Sequence, residues 1–268
     1  MGSNEGKSCS MPTMHDAGIG SWGVDCSGAS KGLFLGLLCL VAGIVVIIIF
    51  LVVKEDESFP VDTVFWLTGG TLLTILGITT FVNVVGLVQV RKLSVVGRKL
   101  TSLDKILSTI STLGVQLYAV FGIVVGAVGI VADESVVPEG AYLTRDQKRH
   151  AMLLSIGAVQ LLQSTMQTTF VGEAIGRTSL TRNQILTKPA RQTVTYLMFA
   201  NAVLWAFDTF VVQSWMSQEL QLRFFGVLAW GILSRIGLPL LVFFRFHSCV
   251  LLLEIWKKSY QSLHDPGN

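Results

Sequence analysis

Three rows of polar side chains interrupt otherwise apolar runs, and their types and spacing are the first clue to chemistry. Gln160, Gln163 and Gln167 are spaced three and four apart, which puts them on one face of a helix. Each amide both donates and accepts, so such a row can line a wet path or bond neighbouring helices together. Asn201, Trp205 and Asp208 repeat the pattern at four and three. A carboxyl in that apolar setting must find a cation or exchange a proton. Further on come Arg235, Arg245 and His247, with Glu173 just beyond the glutamine row. An arginine keeps its proton under all accessible conditions, so it needs an anion or water.

Stepping outward, the elements that carry these residues are long. Six stretches are almost free of charge: 33–53, 63–90, 106–132, 151–173, 192–214 and 224–255. A helix needs roughly 20 apolar residues to cross a bilayer core. Helices also satisfy their own backbone groups in lipid. The predicted fold class is therefore all-α, a polytopic membrane protein built as a bundle of six transmembrane helices. Composition agrees. Of 268 residues, 51% are hydrophobic and 14% charged, against about 25% charged in soluble domains. Mean hydropathy is +0.62.

Charge placement gives an orientation. Lys7 and Lys31 precede the first run, and Arg91, Lys92, Arg98, Lys99 and Lys105 follow the second. Arg177, Arg182, Lys188 and Arg191 follow the fourth, and Lys257 and Lys258 follow the last. Acidic Glu55, Asp56, Glu57, Asp133, Glu134 and Glu139 crowd the other side. Basic loops face the cytoplasm, so the N and C termini are expected to be cytoplasmic. Residues 1–32 are expected to form a disordered tail, 33–260 one transmembrane bundle, and 261–268 a second tail.

Within the bundle, counting 1.5 Å per residue places Asp208 about 24 Å from the cytoplasmic end of its helix. The same count places Arg235 about 16 Å from the outer end of the last. The two are a candidate ion pair. Arg245 is expected to reach the headgroups through its flexible stem, and Pro239 to kink its helix. Gly69, Gly70, Gly77, Gly122, Gly126 and Gly129 are expected to permit close helix approach.

Other chemistry is excluded. The net charge of +3 is too small to suggest nucleic acid. The cysteines, Cys9, Cys26, Cys39 and Cys249, show no metal or redox spacing. No protease, hydrolase or nucleotide motif is present, so neither enzymatic activity nor a cofactor is expected.

The last two runs resemble a known family. Lys188-Pro189-Ala190-Arg191-Gln192 leads to Asn201-Ala-Val-Leu-Trp205. Then come Leu238-Pro239-Leu240, Arg245-Phe246-His247-Ser248 and Glu254-Ile255-Trp256-Lys257. This series resembles the C-terminal end of the otopetrins, proton-selective channels. Lys31-Gly32-Leu33 and Gln167-Thr-Thr-Phe170 add to the likeness.

The resemblance implies a twelve-helix architecture of two homologous halves, of which this chain matches the second. It also implies assembly into an oligomer, with itself or with a full-length otopetrin. Contact with membrane lipid, sterol at subunit interfaces and a plasma-membrane location follow from the same likeness. Its implied constriction falls on Gln167 and Asn201, with Phe244 where the family has tyrosine. Gln163 and Asp208 extend the path. Arg235 stands where family members carry histidine, and Val211 where they carry glutamate. Three functions stay open at this point: a proton channel subunit, a non-conducting diverged subunit or scaffold, and a small-solute transporter.

Overall fold

A computed structural model describes residues 30–55, 61–134, 145–214 and 218–260. The expected tails therefore lie almost entirely outside the described residues, as do Cys9 and Cys26 and the inter-helix segments 56–60, 135–144 and 215–217. What is described is nearly all helix: α1 (Ser30–Glu55), α2 (Val61–Val90), α3 (Ser102–Glu134), α4 (Arg145–Ile175), the short α5 (Arg182–Thr187), α6 (Arg191–Phe207) and α7 (Glu219–Tyr260). A π-turn over Asp208–Val212 extends α6.

Five helices are both long and apolar enough to span a bilayer, namely α1, α2, α3, α6 and α7. The expected fourth span, α4, matches them in length at 31 residues but not in apolarity. The reason is the glutamine face. Gln147, Gln160, Gln163 and Gln167 are all buried, along with Arg149 and Ser164, so α4 turns its glutamine face inward, while its outward face mixes Ala158 and Leu162 with Ser155, Thr165 and Thr169.

Neighbour relations close the bundle into a ring. α1 packs on α6, α6 on α7, α7 on α3, α3 on α4, α4 on α2, and α2 returns to α1 and α6. The most extensive seam is α3 against α4. A Cβ on Gly126 would stand 2.7 Å from the backbone nitrogen of Leu154, so only glycine allows the two backbones to approach this closely. Gly77, by contrast, faces open space.

The expected kink at Pro239 is displaced. Within α7 the non-helical dihedrals fall at Gly226, with φ 77° and ψ 163°, a region essentially reserved for glycine. The chain folds back there. Trp230 donates its indole N–H to Gln218 Oε1 at 2.8 Å, although the two would lie about 18 Å apart along a straight helix.

At one end of the ring a small clasp joins three connections. Ser94 and Val95 pair antiparallel with Thr178 and Arg177. Arg98, Thr178 and Ser179 then bond the last carbonyls of α7, at Lys258 and Ser259. These contacts satisfy helix-end acceptors that would otherwise lack partners.

Candidate functional site

The centre of the ring holds a chain of hydrogen-bonded polar side chains from four elements. Arg245, on α7, is fully buried. Its Nη1 donates to Gln163 Oε1 at 2.6 Å, and its Nε donates to Asp208 Oδ2 at 3.3 Å. Gln163 Nε2 donates to Gln167 Oε1 at 3.3 Å, one turn along α4. Asn83 Nδ2, from α2, donates to the same Gln167 oxygen at 3.0 Å and to Thr79 O at 2.8 Å. All five side chains are at most 2% exposed.

Folding brings these groups together for simple reasons. The three-and-four spacing on α4 stacks its amides on the inner face. The π-turn that begins at Asp208 shifts the helical phase, and π-bulges recur at functional sites. It points Asp208 inward while Trp205, expected on the same face, is exposed. Phe244 lies under the guanidinium, with its ring centroid 5.4 Å from Arg245 Cζ. The aromatic face favours the cation.

Two expectations are corrected. Asp208 pairs with Arg245, not Arg235, whose side chain is exposed on the outside of α7. Arg245 does not reach for the headgroups, since it is fully enclosed between Asp208 and Gln163. One cause serves for both. Counted from the clasp end, Asp208 lies 17 residues beyond Arg191 and Arg245 lies 15 residues before Tyr260, about 25 and 22 Å deep, so the two stand at one depth well inside the bundle.

The remaining expected residues sit around this core. Asn201 is buried, and its Nδ2 bonds Leu197 O within α6 at 2.8 Å. Its Oδ1 has no protein partner, and neither do Gln167 Nε2, Asn83 Oδ1 and Gln160 Nε2. His247 is buried and stacks on Phe243, with centroids 5.4 Å apart. Glu173 lies at the end of α4 in a 2.9 Å pair with Arg177, away from the core.

Asn83 is the member that the sequence reading missed. It is one of two amides, with Gln89, in the apolar run 63–90, and the signal was its polarity amid aliphatic neighbours.

Beside Gln160 a cavity of about 70 Å³ opens between α2, α3, α4 and the α6–α7 turn. Phe65, Thr68, Tyr118, Gln160, Phe207 and Gln221 line it. It has room for several waters, and Gln160 Nε2 and Gln221 Oε1 are unpartnered polar atoms in its wall.

Apolar helices ringed around a buried, charged polar core define a polytopic membrane protein. The family follows from comparison: the otopetrin family model matches residues 3–246, and the chain belongs to that family. It is 34% identical over 240 residues to the proton channel OtopLc of Drosophila melanogaster, which is 90% of this chain and 14% of that protein. It is also 27% identical over 84 residues to the human proton channel OTOP2, or 31% of this chain and 15% of that protein. The chain thus spans about a seventh of the length of these curated relatives.

Proposed function

We propose that this chain is a subunit of a proton channel, and that protons cross along its buried polar core. The observation that carries this reading is the unbroken run Asn83–Gln167–Gln163–Arg245–Asp208 through the middle of the ring. The cavity beside Gln160 supplies a wet approach to one end of it. The unpartnered amide atoms can orient water along the way. Asp208 is the member of the run that can take up and release a proton, while Arg245 repels metal cations from the same space. Both relatives are named proton channels, and that supports the choice of cargo.

The reading extends to assembly and placement. The basic ends of the bundle face the cytoplasm, with the acidic loops outside. The exposed apolar faces of α1, including Phe34 and Leu38, meet lipid or sterol at the borders between subunits. The subunit assembles with itself or with a full-length relative, in the plasma membrane.

One observation favours a second reading, a non-conducting subunit. Arg245 is clamped on two sides, and Phe244 brings no hydroxyl to the path. A fixed cation in a narrow path is also a plug.

Whole-cell recording separates the two. Cells that deliver this chain to the surface are expected to show inward current when the bath is stepped to about pH 5, about 100-fold above the resting proton concentration. Asp208→Asn is expected to abolish it. Absent current at normal surface delivery overturns homomeric conduction and leaves the non-conducting reading. Unchanged current in Asp208→Asn removes Asp208 from the path.

A further inference from the structure

We propose that the clasp end of the bundle is a binding platform for anionic phospholipid headgroups. This inference rests on the reading of the chain as membrane-spanning, and it is independent of whether the core conducts. The ends of α2, α4 and α7 and the start of α3 all meet here, at Val90, Ile175, Tyr260 and Ser102. The connections between them therefore lie at headgroup depth.

Those connections form a built surface. Arg177 Nη1 donates to Leu93 O at 3.2 Å, and Ser259 Oγ donates to Arg177 O at 2.9 Å. Gln184, in α5, donates to Lys92 O at 2.8 Å and accepts from Ser94 Oγ at 3.0 Å. The last pair holds α5 against the segment that carries Arg91 and Lys92.

The surface is amphipathic in the way an interfacial element must be. Arg91, Lys92, Lys99, Lys105 and Arg182 are exposed on it. Among the described residues the acidic groups at this end are Asp104, Glu173 and Glu254, and each is engaged locally. Asp104 bonds Thr101, Glu173 pairs with Arg177, and Glu254 pairs with Lys258. Arg177 and Lys258 balance the two glutamates, and Asp104 is one carboxylate against the five exposed bases, so the field of this end stays positive. Beside them stand exposed apolar side chains, Val95, Val96, Leu180 and Leu186, the last 74% exposed.

Aqueous loops gain nothing from such leucines and valines. At a bilayer surface they enter the acyl boundary, and the neighbouring bases reach the phosphates. An acidic protein partner would match the charge, but it would give no reason for apolar residues at the hydrocarbon edge. The occupant that fits both is an anionic lipid.

The test is lipid retention by the full chain. Protein purified in a neutral detergent is equilibrated with equal amounts of phosphatidylserine and phosphatidylcholine, and the retained lipids are counted by native mass spectrometry. Phosphatidylserine is expected to be preferred. Arg91→Gln/Lys92→Gln/Arg182→Gln is expected to lower that preference about fivefold per charge removed. An outer-side control, Lys148→Gln/Arg223→Gln, is expected to leave it unchanged. Raising salt to about 0.5 M on the unaltered chain is expected to weaken it without any substitution. Equal retention of the two lipids, a triple variant that keeps the preference, or a control that loses as much overturns the proposal. Loss of acid-evoked current leaves this measurement untouched, so the two readings fail separately.

Discussion

Asp208 and Arg245 hold each other in place at a cost that neither could bear alone. Burying an unpaired charge is strongly unfavourable, and removing one partner of a buried pair costs about 3–5 kcal/mol. Asp208→Asn keeps an amide oxygen beside the guanidinium but removes its counter-charge, leaving only the neutral amides of residue 208 and Gln163, the latter 2.6 Å away. The expected outcome is a fall of that size in stability, read as a lower melting temperature in detergent. Arg245→Met alone is expected to destabilise too, by leaving a buried carboxylate. Combined with Asp208→Asn it is expected to recover much of the loss, since no buried charge then remains. A double variant as unstable as the sum of the singles would show that the pair is not coupled. Asn83 makes a smaller prediction. Asn83→Leu removes one donor from Gln167 Oε1, and intramembrane hydrogen bonds of this kind average about 0.6 kcal/mol. Its melting temperature is expected to move little, while any acid-evoked current falls, because the run is broken at one end.

At the scale of elements, the decisive feature is the break inside α7 at Gly226. Gly226 adopts φ 77° and ψ 163°, which a side chain tolerates only at about 1–3 kcal/mol. Gly226→Ala is expected to lower the melting temperature accordingly, and to loosen the Trp230–Gln218 bond, visible as a red shift in tryptophan emission. An unshifted melt would mean that the fold-back is set elsewhere. Six long helices could be read from apolar runs, and the inner face of α4 from its glutamine spacing, because both are periodic and local. The partner of Asp208 could not be read. Depth counted from the outer end of α7 points to Arg235, whereas from the clasp end Asp208 and Arg245 stand 17 and 15 residues deep, and where each helix ends is not periodic information. The π-turn at Asp208–Val212 and the two-residue pairing of the clasp were equally invisible, since neither has a periodic signature. Asn83 was lost for another reason: a window that counts charges does not register one amide.

For the whole molecule, the ring order and the charge asymmetry make a joint prediction. Since α2, α4 and α7 run from one membrane face to the clasp, the clasp loops and the mouth of α4 must lie on opposite sides. Basic residues cluster at the clasp, and Asp62, Asp146 and Glu219 sit at the far end. Two of these acids, Asp62 and Glu219, hold Arg145 and Arg149 there. Arg149 also lies over the Phe65 ring, 5.0 Å from its centroid, which ties α2, α4 and α7 together at that rim. By the retention of basic segments on the cytoplasmic side, the clasp end is expected inside. Cysteine accessibility on intact cells decides the matter. Lys148→Cys is expected to react with a membrane-impermeant maleimide from outside, and Lys99→Cys to react only after permeabilisation. Both positions are exposed, so a lack of labelling reports sidedness and not burial. The reverse pattern would put the acidic rim in the cytoplasm, and protons would then approach Gln160 from the opposite side. Labelling of both positions from outside would mean that α4 does not cross. Its interior-facing glutamines and its 31-residue length argue that it does, because a helix that turns its amides into a shared core can afford to lack the apolar surface that a lone span requires.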